Sequence, residues 1–201
     1  MIECQRVDLR ALQMRGSARR NLSAPQDDRW VGIQVLAPLE IWDLPTGARH
    51  DLYVLQGCLL ECGARRASGS FFSRSQALSL TADTNGAMVL HYRDNLARTS
   101  AHETWDSTEM IWWHTQVHGM QVAALSKFHH RVALVAWQAG THAAPHTHPH
   151  GEEIFVMSGE LRDERGAYPA GSWLRFHPGS GHAPFAEQET LILLRNGHLS
   201  T

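Results

Sequence analysis

No apolar run in the 201-residue chain approaches the length that carries a helix across a bilayer. The opening stretch, MIECQRVDLRALQMRGSARR, lacks the apolar centre of a secretory leader. A cytoplasmic protein without a membrane partner is the expectation. Cysteine is scarce: Cys4, Cys58 and Cys62 are odd in number and show no Cys-x-x-Cys spacing, so no disulfide framework is expected. Cys58 and Cys62 stand four apart on a strand-and-hairpin stretch, where buried or edge thiols are favoured over a two-cysteine metal clip. Charge of one sign is also missing. Eighteen basic and 20 acidic side chains give a formal net charge of -2 without long runs, which offers no footing for nucleic acid or a lipid surface. Nor is there a sustained helical period.

What the chain does contain is a globular composition, 43% apolar and 19% charged, arranged as short β-type runs between turn residues. VALVAW, EIFVMSG, GSWLRF and TLILLRN follow one another in the second half, and VGIQVLA, DLYVLQG, GSFFSRS and AMVLHYRD in the first. Such a layout predicts an all-β sandwich or jelly roll. Gly57 and Gly159 lie 102 positions apart, as do Gly69-Ser70 and Gly171-Ser172, and Arg93 and Arg195. Shared turn glycines at one offset indicate an internal duplication, with one unit over 1–98 and a second over 99–201. The stretch Asn95 to His114 reads as a linker, and its Trp112 and Trp113 as packing surfaces between the units rather than ligand contacts.

Histidine is concentrated in GTHAAPHTHPHGEEIFVMSGE, from Gly140 to Glu160. On a strand, His146 and His148 point to one face, and the bend at Pro149-His150-Gly151 can return Glu152 toward it. His182 follows in a glycine-rich turn, FHPGSGHAPF. Three imidazoles and a carboxylate suit a divalent first-row metal. His142 and His150 flank the pair and are read as solvent-exposed or supporting, and His129 and His130 as surface residues.

The spacing Gly140-x5-His146-x-His148-x3-Glu152-x6-Gly159 resembles the first cupin motif. Gly171-x7-Gly179-x2-His182 resembles the second, with His177 where proline is usual and Ala186 where asparagine is usual. Over roughly Val117 to Arg195 the chain is similar to the cupin domain of ChrR-type anti-sigma factors and to related acetylacetone-cleaving and dihydroxyacetophenone dioxygenases. The resemblance implies two tandem cupin barrels of the double-stranded β-helix, or jelly-roll, type. It implies His146, His148, Glu152 and His182 as ligands of one divalent metal, Zn or Fe(II) before Mn or Ni. It makes Asp163, Glu164, Tyr168 and Pro169 turn and scaffold residues.

At the offset of 102, His146 maps to Leu44, His148 to Thr46, Glu152 to His50 and His182 to Leu80. The first unit is therefore expected to be a degenerate cupin without metal ligands, its interior filled around Leu44, Leu52, Val54 and Leu80. It lacks the His/Cys spacing of a zinc-binding, sigma-binding domain, so sigma-factor binding has no support. The expected function is a metal-binding regulatory or sensor cupin, with a small-molecule ligand in the C-terminal barrel and a homodimeric assembly. The alternative is an Fe(II) dioxygenase that cleaves a C–C bond in a β-diketone or aryl ketone. Ile154, Val156, Trp173 and Phe176 are candidates for its pocket wall, with ordinary core as the competing reading.

Overall fold

The computed structural model describes residues 1–13, 16–95, 102–126 and 131–199. Apart from a short helix, Leu9–Gln13, and a 3-10 turn, Ser107–Glu109, the regular structure is entirely β. Among the described residues no helix is long and apolar enough to cross a membrane. His129 and His130 lie outside the described residues, as do residues 96–101 of the expected linker.

The chain divides into two compact units, Met1–Val7 with Met110–Thr201, and Asp8–Glu109. This differs from a single cut between 98 and 99 at both ends, and backbone pairing is the reason. Ile2–Arg6 forms an antiparallel ladder with Ser172–Phe176, and Val7 N–H donates to Gly171 O at 3.0 Å, so the start of the chain completes the later unit. Glu103–Trp105 pairs with Phe71–Arg74, which extends the earlier unit beyond residue 98. Trp112 and Trp113 are not buried: they are 38% and 64% exposed, and Trp113 sits on the edge strand Trp113–His114. All three thiols are free, with Cys58 buried and Cys4 and Cys62 exposed.

In the later unit a seven-stranded sheet runs Ile2–Arg6, Ser172–Phe176, Glu152–Ser158, Thr190–Asn196, Arg131–Trp137, Met120–Ser126, Trp113–His114. A four-stranded sheet, Thr141–His142, Phe185–Ala186, Glu160–Asp163, Gly166–Pro169, and a two-stranded ribbon, His146–His148 with Ser180–His182, make up the rest. Strand alternation sends Val135, Trp137, Ile154, Val156, Leu174, Phe176 and Ile192 into one apolar cluster. Removing each such side chain from water contributes roughly 1.5–3 kcal/mol. The opposite face of the same strands is buried too, and carries charge. Glu153 accepts hydrogen bonds from Arg175 Nε at 2.8 Å and lies 2.7 Å from His198 Nε2 and 3.4 Å from Arg195 Nη1. Burial alone would push this carboxyl up, but His198, Arg175 and Arg195 hold it down at about 2.

The earlier unit is built on one sheet ordered Ala18–Asn21, Arg29–Leu36, Leu78–Asp94, Arg49–Glu61, Phe71–Arg74, Glu103–Trp105. Its turns repeat those of the later unit. Gly69 N–H donates to Val54 O at 2.8 Å and Gly171 N–H to Val156 O at 2.9 Å, while Ser68 N–H to Gly57 O and Ala170 N–H to Gly159 O are both 3.0 Å. Gly57 and Gly159 have φ of +77° and +74° at matching bulges, Val54/Gln56 and Val156/Ser158. On both sides of the bulge the facing strand is offset by one further residue between the two units. Leu52 faces His91 as Ile154 faces Leu194, so the counterpart of Arg195 is Tyr92, not Arg93.

A Cβ on Gly159 would stand 2.2 Å from Glu189 O, and one on Gly57 2.1 Å from Gly86 O. Gly140 also has a positive φ, +81°, but has open space where its Cβ would go. Gly159→Ala should therefore lower the unfolding free energy by about 2–3 kcal/mol, and Gly140→Ala by about 1 kcal/mol, in urea titrations. Equal losses at the two positions would show that the carbonyl contact does not matter.

Candidate metal centre

His146–His148 and Ser180–His182 run antiparallel, with His146 opposite His182 and His148 opposite Ser180. Ladder partners share a face, so the pairing gathers all three imidazoles on one side. The two strands approach closely because residue 181 is glycine: a Cβ there would lie 2.4 Å from His146 O. Ring centroids are 4.9 Å apart for His146–His148, 4.9 Å for His146–His182 and 5.0 Å for His148–His182. One nitrogen from each ring lies within 4.8 Å of the other two.

The expected bend is present. Gly151, at φ +72°, donates its N–H to His148 O at 3.1 Å, and the chain turns into Glu152–Ser158. Glu152 is the first residue of that strand, and its carboxyl oxygens lie 3.5 Å from His148 Nδ1 and 3.8 Å from His182 Nε2. The Phe176 ring lies 4.3 Å from His182 and 5.4 Å from His148. All four residues singled out in the sequence thus meet at one place.

Burial pushes the Glu152 carboxyl up to about 8. Burial, and then the neighbouring imidazoles, push His148 and His182 down to about 4. His146 is exposed, and its Nδ1–H donates to Ala144 O at 2.9 Å, which leaves Nε2 as the lone-pair nitrogen of the neutral ring. His148 Nε2 and His182 Nδ1 are buried with no hydrogen-bond partner among the described residues. Neutral imidazoles beside a carboxyl that pairs with no Arg or Lys among the described side chains match the needs of a divalent cation. The donor set fits a metal ion.

A cavity of about 480 Å³ opens beside this cluster. His146, Glu152 and His182 stand in its wall, and the remainder is apolar apart from Asn196, including Met120, Val135, Trp137, Ile154 and Leu194. Ile154 was an expected wall residue and is one. Val156 and Phe176 are core, and Trp173 lies on the opposite sheet face, where the Arg175 guanidinium sits 5.0 Å from its ring. Trp137 and Asn196 were not singled out from the sequence. Trp137 closes the VALVAW run in step with Val135, and that parity was the available signal. His142 is exposed and stacks on Phe185 at 5.2 Å, and His150 is exposed.

The model of the ChrR cupin-like domain matches residues 100–200. The chain belongs to the ChrR cupin-like family. Its fold is the cupin jelly roll, shared with solved structures of low sequence identity. A protein described as glyoxylate-induced, from Pseudomonas aeruginosa, aligns with a TM-score of 0.75 at 14% identity over 91% of this chain and 81% of its own. A protein described as a dioxygenase, from Nostoc punctiforme, gives 0.75 and 14% over 99% and 85%. Salicylate 1,2-dioxygenase from Pseudoaminobacter salicylatoxidans gives 0.72 and 10% over 98% and 81%. No curated protein matches the sequence. A cupin fold with a three-histidine cluster, among neighbours that include dioxygenases, points to a divalent metal ion.

Without metal, the centre should make stability depend on pH. The folded state keeps the Glu152 proton above the ordinary carboxyl range, so this group's contribution is present below about 4.5 and lost as pH rises toward 8. His148 and His182 act oppositely: their contribution is present above about 6.5 and lost as pH falls through about 4. In chelator-treated protein, Glu152→Gln should melt within a degree or two of wild type at pH 5, and several degrees higher at pH 8. A gap that shrinks toward pH 8 would contradict the assignment.

Proposed function

We propose that the chain is a metal-dependent dioxygenase with one Fe(II) held by His146, His148, Glu152 and His182, cleaving a C–C bond beside the carbonyl of a β-diketone or aryl ketone. The observation that carries this reading is the cavity: about 480 Å³ of mostly apolar space ending on three of those four residues. That volume falls in the range of small-molecule sites. A metal kept only for stability is usually closed off by protein ligands, whereas His146 is exposed here and the cluster meets open space. When bound, the metal would supply Lewis acidity and the redox chemistry of O2. The chain supplies the rest. Buried His148 and His182 stay neutral near pH 7 and present lone pairs, and Glu152, which keeps its proton near pH 7 without metal, would release it when a cation binds and supply a negative charge. The apolar wall holds the body of the substrate and keeps water from it.

The match to the ChrR cupin-like domain favours a second reading, a regulatory cupin that binds metal or a small ligand without turnover. One experiment separates the two. Protein loaded anaerobically with Fe(II) should contain about one metal per chain by elemental analysis and consume O2 with pentane-2,4-dione. His146→Ala and His148→Ala should each lower metal affinity at least ~10-fold. Tightly held zinc with no O2 uptake from the iron form would support the regulatory reading instead, and full metal content in the double alanine variant would remove the site.

A further inference from the structure

The hairpin turn Asp163-Glu164-Arg165, between Glu160–Asp163 and Gly166–Pro169, contacts three consecutive residues, Gly181, His182 and Ala183, at the end of the ribbon opposite it. Arg165 Nη2–H donates to Gly181 O at 2.9 Å, and Ala183 N–H donates to a Glu164 carboxylate oxygen at 3.0 Å. Between them, Asp163 Oδ2 lies 3.6 Å from His182 Nδ1. Asp163 is buried, at 6% exposure, and its other oxygen is already committed: Oδ1 accepts the Tyr168 hydroxyl at 2.9 Å and Arg165 N–H at 2.8 Å. Those two bonds fix the plane of the carboxylate and leave Oδ2 to face the imidazole, with Arg165 Nη1 3.4 Å away. On the imidazole side, Nδ1 is buried and has no hydrogen bond among the described residues, while Nε2 points to the Glu152 carboxyl at 3.8 Å.

We propose that Asp163 is a positioning residue for the metal centre: it keeps the proton of neutral His182 on Nδ1, so that Nε2 faces the ion, with Tyr168 orienting Asp163 in turn. A carboxylate beside one ring nitrogen fixes both the tautomer and the ring plane, and raises the donor strength of the other nitrogen. The 3.6 Å separation is longer than a hydrogen bond and closes by a small rotation of the ring. Glu164 and Arg165 act on the backbone either side of His182, so the turn sets the position of the residue as well as its tautomer. This inference rests on His182 being a metal ligand and is independent of whether the centre turns over a substrate.

The test is Co(II) titration of the chelator-treated full chain, followed by the visible ligand-field spectrum, for wild type, His182→Ala, Asp163→Asn and Tyr168→Phe. Asp163→Asn should weaken Co(II) binding about 10- to 100-fold and alter the spectrum at saturating metal, and Tyr168→Phe should weaken it about threefold in the same direction. Melting temperatures without metal control for folding. The inference fails if Asp163→Asn binds Co(II) with wild-type affinity, or if it melts lower in proportion to its loss of affinity and shows an unchanged saturated spectrum. Failure of the site assignment itself looks different: wild type would not bind Co(II), or His182→Ala would bind it as well as wild type does.

Discussion

A carboxyl group removed from water needs either a proton or a cation, and among the described side chains no Arg or Lys pairs with Glu152. Its neighbours are two imidazoles that burial keeps neutral. Everything that makes the centre reactive toward a metal follows from that imbalance. The ribbon pairing of His146 with His182 places the nitrogens, and the bend at Gly151 brings the carboxyl to them. The imbalance gives those groups a reason to take up a charge.

The adjacent residue shows the alternative. Glu153 is as buried as Glu152, one position along the same strand, and is held at about 2 where Glu152 rises to about 8. Strand alternation sends the two side chains to opposite faces. There Arg175, Arg195 and His198 surround Glu153 and hold it ionised within the unit. On one face the buried carboxyl is thus held ionised by side chains of the unit, while on the other it faces imidazoles and a cavity.

Much of this is legible in the sequence, and what is not has identifiable causes. The strands VALVAW, EIFVMSG, GSWLRF and TLILLRN fall within a residue or two of the observed elements because each alternates between turn signals. The gathering of His146, His148, Glu152 and His182 follows from spacing once the motif is seen. The placement of Ile2–Arg6 does not, because antiparallel pairing over more than 160 residues leaves no local trace. Asp163 was hidden for a similar reason. In sequence it is the last residue before a hairpin turn, and only the ladder that carries the hairpin to residues 181–183 reveals what its carboxylate faces.

The earlier unit shows what happens when the same framework is closed. The pairing there sets Leu44 opposite Leu78 and Trp42 opposite Leu80, so apolar side chains stand where the later unit has its ribbon histidines. His50 takes the place of Glu152. It is not left unsatisfied: its Nε2 lies 3.0 Å from Pro45 O and its Nδ1 2.9 Å from His91 Nε2. With Nε2–H donating to the carbonyl, Nδ1 accepts from His91, and both rings are neutral. Burial lowers His50 and drives His91 well below its ordinary value, so neither ring readily takes a proton. Leu36, Leu52, Val54, Phe72 and Val89 pack the surrounding space. Two copies of one turn geometry therefore differ in whether the buried polar groups at this position find partners within the chain. In the earlier unit they do, and the interior serves stability. In the later unit three imidazoles and a carboxyl remain incompletely paired beside an open cavity, the condition under which a β framework holds an ion and admits a small molecule.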